Sequence, residues 1–376
     1  MSDLGAVIVG AGPAGSAAAV VLARSGYRVL VLEQRQRIDF KFGELLPPHA
    51  APLVQRFGVD LAQLIDSHAR GRGVISVWGS EKPRSQEFFF NPYGDGVRLD
   101  RPRFDAELRE RAALAGAEFR HGVKVIGVTT PTREGAPIGV EVVADAVRGE
   151  IATRWLIDCS GRSRAVSRFV GKTCSEEASA TRHGPSGDRL FALARRFRST
   201  GPPDRDSFLR IEAVSHGWLY SLVLPTGDRM VVFHTERGCG ADLDSALGSS
   251  SMIWRVLEDG GFSPVGRLRA TPAGGTYPAP VIGSRIVSAG DAALAFDPLA
   301  SRGMFNALTT GFAVADAIIA TDTDPTVNTS SALDRYAASV ERDHQEYLMA
   351  YGQMYGAETR FSGQVFWRRR HAHVPS

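Results

Sequence analysis

The chain has 376 residues, a formal net charge of +3 and a pI of about 8.8. That charge is too small to indicate nucleic-acid binding, and it suits an anionic ligand. No apolar run approaches the roughly 20 residues of a membrane span, and we expect no secretory signal because Met1–Leu4 lacks basic residues. The three cysteines, Cys159, Cys174 and Cys239, are widely spaced, so we expect no metal site and a reduced, cytoplasmic setting.

The first predicted elements form a βαβ unit. Residues Ala6–Gly10 predict a short strand, and Pro13–Ser25 predict an alanine-rich helix that stops at Gly26. A second apolar strand, Tyr27–Leu32, ends at Glu33. We expect these two strands to be parallel and buried on both faces.

The middle of the chain predicts further strands and one helix. Residues Val74–Phe90 predict one or two strands, and Arg103–Gly116 predict a helix. Strands follow near Glu118–Val128 and Gly139–Val143, and Trp155–Cys159 predicts another short buried strand.

Residues Gly184–Pro203 are rich in Gly, Pro and Arg and predict a boundary. The next three apolar runs predict consecutive strands joined by glycine-containing turns, which indicates an antiparallel sheet: Ser207–Val214, Trp218–Leu224 and Met230–Thr235.

The last third predicts one short strand and two helices. The strand is Arg285–Ala289, and the helices are Gly303–Thr321 and Ser331–Met354. We interpret Arg368–Arg370 as part of a solvated basic tail, with docking of an acidic peptide or carrier as the alternative.

The motif Gly10-x-Gly12-x-x-Gly15 lies between the first strand and the first helix. In this context Gly10 permits the turn, Gly12 lets the backbone approach a pyrophosphate, and Gly15 lets the helix pack closely. The helix N-terminus attracts phosphates. Glu33, 18 residues after Gly15, suits the ribose hydroxyls. We predict a dinucleotide site, although the motif alone does not separate FAD from NAD.

Three further segments resemble fingerprints of the p-hydroxybenzoate-hydroxylase-like FAD superfamily. Ile157–Arg168 resembles the second fingerprint, and Ser288–Ala293 followed by Asp297–Gly303 resembles the third. Leu99–Asp105 is similar to a fourth element, in which the first arginine reaches the FAD. The resemblance implies FAD as the cofactor. It also implies that a helix beginning near Gly303 stabilises anionic reduced flavin.

The resemblance implies an α/β fold with a Rossmann-type, glutathione-reductase-like FAD-binding domain. We expect that domain to be discontinuous, with residues 1–69, 101–183 and 276–330. An inserted antiparallel substrate-binding sheet would comprise residues 70–100 and 184–275, and a C-terminal helical segment residues 331–376. The cofactor-binding residues that it implies are Gly10, Gly12, Pro13, Ala14, Gly15, Glu33, Gln34, Lys41, Arg101, Val125, Asp158, Gly290, Asp291, Pro298, Gly303 and Met304.

Two segments point to one branch of the superfamily. Lys41–Pro48 and His216–Pro225 are similar to loops of flavoproteins that mature tryptophylquinone cofactors. The flavin-dependent halogenases are the rival branch, and they need a lysine before a tryptophan such as Trp78. Arg70 and Arg72 occupy that stretch here, and arginine is a poor haloamine former.

These resemblances imply an FAD-dependent monooxygenase that hydroxylates an indole, tryptophan or phenol, free or bound to a peptide or carrier, through a flavin C4a-hydroperoxide. The electrons would come from NAD(P)H or a partner flavin reductase. The candidate catalytic bases are Glu44, His49 and His216. The candidate substrate-pocket residues are Trp78, Trp218 and Tyr220.

Purely structural roles for these residues also remain open. Glu44 could cap a helix, the two histidines could be surface residues, and the aromatic residues could be simple core. Three other activities also remain: halogenation, an FAD oxidase or dehydrogenase reaction without hydroxylation, and flavin binding without turnover.

Overall fold

The computed structural model describes residues 4–37, 41–131, 133, 135–170, 182–183, 189–278, 281–283, 285–323 and 329–372. Within them the strands are β1 (Leu4–Val9), β2 (Val29–Glu33), β3 (Leu45–Leu46), β4 (Ala69–Gly71), β5 (Gly73–Val77), β6 (Arg84–Glu87), β7 (Gly96–Arg98), β8 (Glu118–His121), β9 (Lys124–Thr129), β10 (Ile138–Ala144), β11 (Val147–Asp158), β12 (Arg182–His183), β13 (Leu190–Ser199), β14 (Phe208–Val214), β15 (Gly217–Val223), β16 (Arg229–Glu236), β17 (Phe262–Pro272), β18 (Thr276–Tyr277), β19 (Val281–Gly283) and β20 (Ile286–Ser288).

The α-helices are α1 (Pro13–Arg24), α2 (Ala51–Gln55), α3 (Leu61–Ser67), α4 (Arg101–Leu114), α5 (Ser167–Val170), α6 (Leu243–Gly248), α7 (Met252–Asp259), α8 (Gly303–Thr323), α9 (Thr329–Gly356) and α10 (Val365–His371).

The first large sheet carries the predicted βαβ unit. Its order is β19-β20-β11-β1-β2-β8, and β9 and β10 extend it from β11. The strands β1, β2, β8, β11 and β20 pair in parallel. Strand β11 begins at Val147, eight residues before the predicted start at Trp155, because its polar first half forms a hairpin with β10. The buried parallel pair β1–β2 agrees with the prediction.

The second large sheet has the order β17-β13-β16-β15-β14-β5-β6. The expectation of a purely antiparallel sheet was wrong at one position, because β14 pairs with β5 in parallel. The predicted boundary Gly184–Pro203 was wrong where β13 lies, since Leu190, Ala192 and Ala194 alternate inward as in a half-buried strand. Residues 184–188 of that boundary, Cys174 and residues 373–376 lie outside the described residues. The proposed domain limits stay a prediction.

Close packing between distant parts of the chain brings the glycine motif to the second half of the protein. A Cβ added at Gly15 would lie 2.0 Å from the Gly10 carbonyl oxygen. A Cβ added at Gly311, on α8, would lie 2.4 Å from the Ala14 carbonyl oxygen. Gly290 has a φ of +63° and packs against the same Ala14. Residues some 300 positions apart therefore share one tightly packed junction.

Helix α8 is long and apolar enough to cross a membrane by length and composition, which the sequence analysis did not expect. In the fold, 56% of its apolar window is buried. Leu308, Phe312 and Val314 belong to the core that joins the two large sheets. This packing is that of a core helix.

The interpretation of Arg368–Arg370 as a solvated tail was wrong for Arg370, which is buried, whereas Arg368 and Arg369 are exposed. Helix α10 buries Phe366 and Trp367 completely, and Arg370 is only 2% exposed. Arg370 Nη1 donates to Glu236 Oε1 at 2.6 Å, and Arg369 pairs with the other oxygen of the same carboxylate. The ion pairs of Arg369 and Arg370 with Glu236 thus anchor α10 at the end of β16.

Candidate active site

One cavity of about 1410 Å³ is lined by residues from both large sheets. This exceeds the usual volume of a small-molecule site, so it has room for a dinucleotide and a second ligand. The predicted cofactor-binding residues that line it are Gly10, Gly12, Pro13, Ala14, Glu33, Gln34, Lys41, Arg101, Val125, Gly290, Asp291, Pro298, Gly303 and Met304. Gly15 and Asp158 are not among the lining residues.

The glycine turn opens toward a lysine. Gly12 precedes α1 and has no side chain to cap the helix, and a Cβ added to it would lie 3.6 Å from Lys41 Nζ. An anion placed in this gap would meet the helix N-terminus and the Lys41 ammonium together. The turn and the lysine therefore form a cradle suited to a pyrophosphate.

Two cations share one buried carboxylate beside this cradle. Lys41 Nζ lies 2.7 Å from Asp105 Oδ2, and Arg101 contacts Asp105 Oδ1 from the same helix turn. Burial alone would raise the pKa of Asp105, but Arg101 and Lys41 hold that pKa below its ordinary value. Arg101 also donates to the backbone carbonyl groups of Phe42 and Gly43, so it anchors the loop that carries Lys41.

Glu33 lies at the end of β2, where its carboxylate faces the glycine turn. Its Oε2 accepts a hydrogen bond from the Ala11 backbone N–H at 3.2 Å, and its Oε1 accepts one from Arg35 N–H at 3.0 Å. These bonds hold the carboxylate at the cavity wall, where ribose hydroxyls could donate to it.

Asp158 organises a loop and does not face the cavity. Its Oδ1 accepts hydrogen bonds from the Ser160 N–H and hydroxyl, and its Oδ2 accepts one from Val166 N–H at 2.9 Å. The loop so held presents Arg162, which lines the cavity and pairs with Asp291 at 3.4 Å.

The second sheet contributes an aromatic wall. Trp218 and Tyr220 on β15 line the cavity together with His234 on β16, and the rings of Trp218 and His234 stack at 3.8 Å with 13° between their planes. Trp78 also lines the cavity and donates from Nε1 to the Met354 carbonyl oxygen at 2.7 Å. The three predicted pocket residues therefore lie in one wall, although their role stays a prediction.

A buried acid joins that wall to the Lys41 loop. Glu44 is 4% exposed, and its Oε2 accepts hydrogen bonds from the Tyr220 hydroxyl at 2.9 Å and from Gly43 N–H at 3.0 Å. Its Oε1 is buried and has no hydrogen-bond partner in the described structure. Burial raises the pKa of Glu44, despite the Tyr220 hydrogen bond, which lowers it.

The two predicted histidines have different positions. His49 lines the cavity, and its ring lies edge-on to Phe305 with the ring centroids 5.0 Å apart. Its side chain is largely exposed, but the partial burial that remains, together with nearby Arg302, lowers the pKa of His49. His216 lies in the turn between β14 and β15 and is not among the lining residues; its backbone carbonyl accepts from the Thr235 hydroxyl. The structure thus does not bring His216 to the site.

Three lining residues were missed as candidates. His234 could not be found because its place opposite Trp218 depends on strand register. Arg162 was quoted within a motif without a role. Asp297, which is 1% exposed, was likewise named only as the start of a motif.

Known proteins resemble this chain in sequence and fold. The model of an NAD(P)-binding Rossmann-like domain matches residues 8–40. The chain is 24% identical to LodB of Marinomonas mediterranea, which is named as an FAD-dependent oxidoreductase, over 99% of this chain and 98% of that protein. The myxobacterial chondrochloren halogenase CndH superposes with a TM-score of 0.82 at 21% identity, covering 98% of this chain and 86% of that one.

A second solved structure represents a different reaction. QhpG, a peptidyl tryptophan dihydroxylase essential for tryptophylquinone cofactor biogenesis, has a TM-score of 0.73 at 21% identity, over 98% of this chain and 79% of that one. The chain is thus similar in sequence to an FAD-dependent oxidoreductase and in fold to both a halogenase and a hydroxylase. The predicted α/β fold with a Rossmann-type FAD-binding unit is confirmed.

The residues that line the cavity fit FAD. The side-chain-free gap at Gly12 beside Lys41 suits the pyrophosphate, and Glu33 suits a ribose. Asp291 and Gly303, the first residue of α8, line the same cavity. The cationic and carboxylate groups that line it thus suit a dinucleotide.

Proposed function

We propose that this protein is a monooxygenase that hydroxylates an electron-rich aromatic ring, an indole, tryptophan or phenol, free or held by a peptide or carrier. The observation that supports this most is the shared cavity. Its walls include both the dinucleotide turn at Gly12 and the aromatic pair Trp218 and Tyr220, with the buried carboxyl group of Glu44 between the two parts of the chain.

FAD, when bound, supplies the oxygen chemistry, with electrons from NAD(P)H or a partner flavin reductase. The protein holds it through the Gly12 turn, Lys41 and Glu33 at the dinucleotide end. At the other end, Asp291 and the backbone that begins α8 at Gly303 bind it. Each of these residues lines the cavity.

The aromatic wall positions the substrate and excludes water. Trp218 and Leu222 are buried residues of β15 that line the cavity, and Tyr220 lies between them. An aromatic ring packed against this wall is held by apolar contact and ring–ring interactions worth about 0.5–1.5 kcal/mol per pair. Burial there also strengthens each polar contact that the substrate makes.

Glu44 serves as the base. Its Oε1 is the unpaired acceptor, and it takes a proton from the substrate hydroxyl or indole N–H while Tyr220 holds the other oxygen. A raised pKa brings the carboxylate closer to the operating pH, where a general base is most effective. His49 is the second candidate base, since it lines the cavity as a largely neutral imidazole.

Halogenation is the second candidate because CndH superposes over nearly the whole chain. Of the cavity-lining residues that the structure describes, the lysines are Lys41 and Lys124. Lys41 pairs with Asp105 beside the glycine turn, and Lys124 begins β9 of the first sheet. Neither belongs to the second sheet, where the aromatic wall lies, which favours hydroxylation.

The test is mass spectrometry of products from anaerobically photoreduced holoenzyme, mixed with oxygen, bromide and a panel of free and peptide-bound indoles and phenols. A product heavier by one oxygen atom supports the proposal, and the responding substrate shows whether a tether is needed. A brominated product would replace the proposal with halogenation. One molecule of hydrogen peroxide for every two electrons supplied, with every substrate in the panel, would favour an oxidase.

Glu44→Gln provides a matched variant for this assay. It keeps the shape and the hydrogen bond from Tyr220 but removes the base. A loss of product with unchanged FAD content supports the role of Glu44, whereas unchanged product formation contradicts it.

A further inference from the structure

Three buried side chains from distant parts of the chain form one line of hydrogen bonds. Trp218 Nε1 on β15 donates to the Tyr355 hydroxyl oxygen on α9 at 3.0 Å. The Tyr355 hydroxyl donates in turn to Asp297 Oδ2 at 2.8 Å. The three residues are at most 1% exposed. The aromatic wall and the segment at Asp297 are therefore connected through the C-terminal helix.

Asp297 extends this hydrogen-bond network into a loop of the cavity wall. Its Oδ1 accepts from Leu299 N–H at 2.8 Å, and its own N–H donates to the Tyr347 hydroxyl at 3.2 Å. The short helical turn Pro298–Ala300 that follows lines the cavity, as does Ser301, which has a φ of +51°. Both carboxylate oxygens of Asp297 are thus engaged, one toward the wall and one toward the loop.

Trp218, Tyr355 and Asp297 can move little independently of one another. Breaking either hydrogen bond would leave a buried polar group without its partner, which costs free energy. The Tyr355 ring is also packed against Trp78 and Trp367, with ring centroids 6.1 and 6.0 Å away. A shift of Trp218 must therefore move the Tyr355 hydroxyl or break the hydrogen bond between Trp218 and Tyr355.

We propose that Tyr355 is a positioning residue that couples the substrate wall to the loop Asp297–Ser301 on the cofactor side of the cavity. A ligand that displaces Trp218 changes the position of the loop, and FAD in the cavity changes the position of Trp218. This inference rests on the proposed placement of FAD and substrate, but it does not depend on which reaction follows.

The test is a double-mutant cycle on FAD affinity. The variants are Trp218→Phe, Tyr355→Phe and the double variant, each stripped of flavin and titrated with FAD to obtain its dissociation constant. We expect Trp218→Phe to raise that constant about 5-fold, the effect of one hydrogen bond. In the Tyr355→Phe background the same substitution should change it by less than about 2-fold, because the connection is already broken.

The absorption spectrum of the bound flavin gives a second readout that a purely structural role would not move in the same way. We expect the shift caused by Trp218→Phe to disappear in the Tyr355→Phe background. Equal effects of Trp218→Phe in both backgrounds would overturn the proposal, since Trp218 would then act on FAD directly. No effect in either background would overturn it as well.

Tyr336→Phe is the matched control on the same helix. It removes another buried tyrosine hydroxyl, which donates to the Ser288 carbonyl oxygen at 2.6 Å, outside the line to Trp218. The effect of Trp218→Phe should persist in this background. If Tyr355→Phe fails to fold, Asp297→Asn replaces it in the cycle, with the same expected loss of coupling. Product formation is not measured, so failure of hydroxylation leaves this test intact.

Discussion

Tyr220 donates its hydroxyl hydrogen to Glu44, with 2.9 Å between the two oxygen atoms, and the bond joins the second sheet to the loop before β3. Burial, together with the Glu44 carboxylate, raises the pKa of Tyr220 well above its ordinary value. The tyrosine therefore stays a donor, and Glu44 is the member of the pair that can change its charge.

Glu44→Gln should lower turnover by about 100-fold or more, the usual contribution of a general base. The wild-type rate should rise with pH as Glu44 ionises, at a pH above the ordinary glutamate value of 4.5. The variant should lose that rise. Rate against pH for both proteins checks this prediction, and an identical profile would contradict it.

The same substitution should change stability in a defined direction. Because the folded pKa of Glu44 is raised, the folded state binds more protons than the unfolded state above about pH 4.5, so wild-type stability falls as pH rises from there. Glu44→Gln removes this fall. Urea unfolding at pH 4.5 and pH 7 should show that the free energy of unfolding of the variant, relative to wild type, is greater at pH 7 than at pH 4.5.

His234→Phe should make the protein more resistant to acid. Burial, together with Arg370 and Arg162, lowers the pKa of His234 to about 3, so the unfolded state binds more protons between about pH 3 and 6.5. Wild-type stability is thus lost as pH falls through that window, by up to about 1.4 kcal/mol per pH unit for this group. Phenylalanine keeps the stacking on Trp218. A parallel loss of stability in both proteins would argue against this origin.

Lys41→Gln should raise the FAD dissociation constant by about 10-fold, because an ammonium group beside the glycine turn is removed. Lys82→Gln is the control, since Lys82 is exposed in the turn between β5 and β6. Isothermal titration of the flavin-free proteins measures both. Equal affinities for Lys41→Gln and wild type would remove Lys41 from the cofactor site.

Arg370→Ala should lower the free energy of unfolding by about 3 kcal/mol, because it removes one of the two arginines that pair with the buried carboxylate of Glu236. Arg368→Ala, two residues away on the exposed side of α10, should change it by less than about 0.5 kcal/mol. Chemical denaturation compares the two. Similar effects for both variants would show that α10 is held by its aromatic residues alone.

Short sequence patterns predicted those features of the structure that depend on contacts between residues close together in the sequence. Gly10 and Gly15 must be glycine because a Cβ at either position would collide with backbone, so the motif reveals the turn without further information. The spacing of Tyr347, Tyr351 and Tyr355, four residues apart on α9, indicates one buried helix face from the sequence alone.

The rest depends on contacts between residues far apart in sequence. Strand β13 was missed because Arg195 and Arg196 give its sequence the composition of a linker. The stack of His234 on Trp218 requires the register of two strands, and the bond between Arg370 and Glu236 spans 134 positions. No window along the chain contains that information.

The junction of Ala14 with Gly290 and Gly311 has a consequence for how the enzyme matures in the cell. The pyrophosphate cradle near one end of the sequence is backed by a helix made some 300 residues later, so a ribosome-bound N-terminal fragment cannot yet form the complete cofactor site. Flavin is captured late, and it then holds the assembled junction closed by mass action. Flavin bound per chain, measured from the yellow colour of a preparation, therefore sets a lower limit on the fraction of molecules that have finished folding.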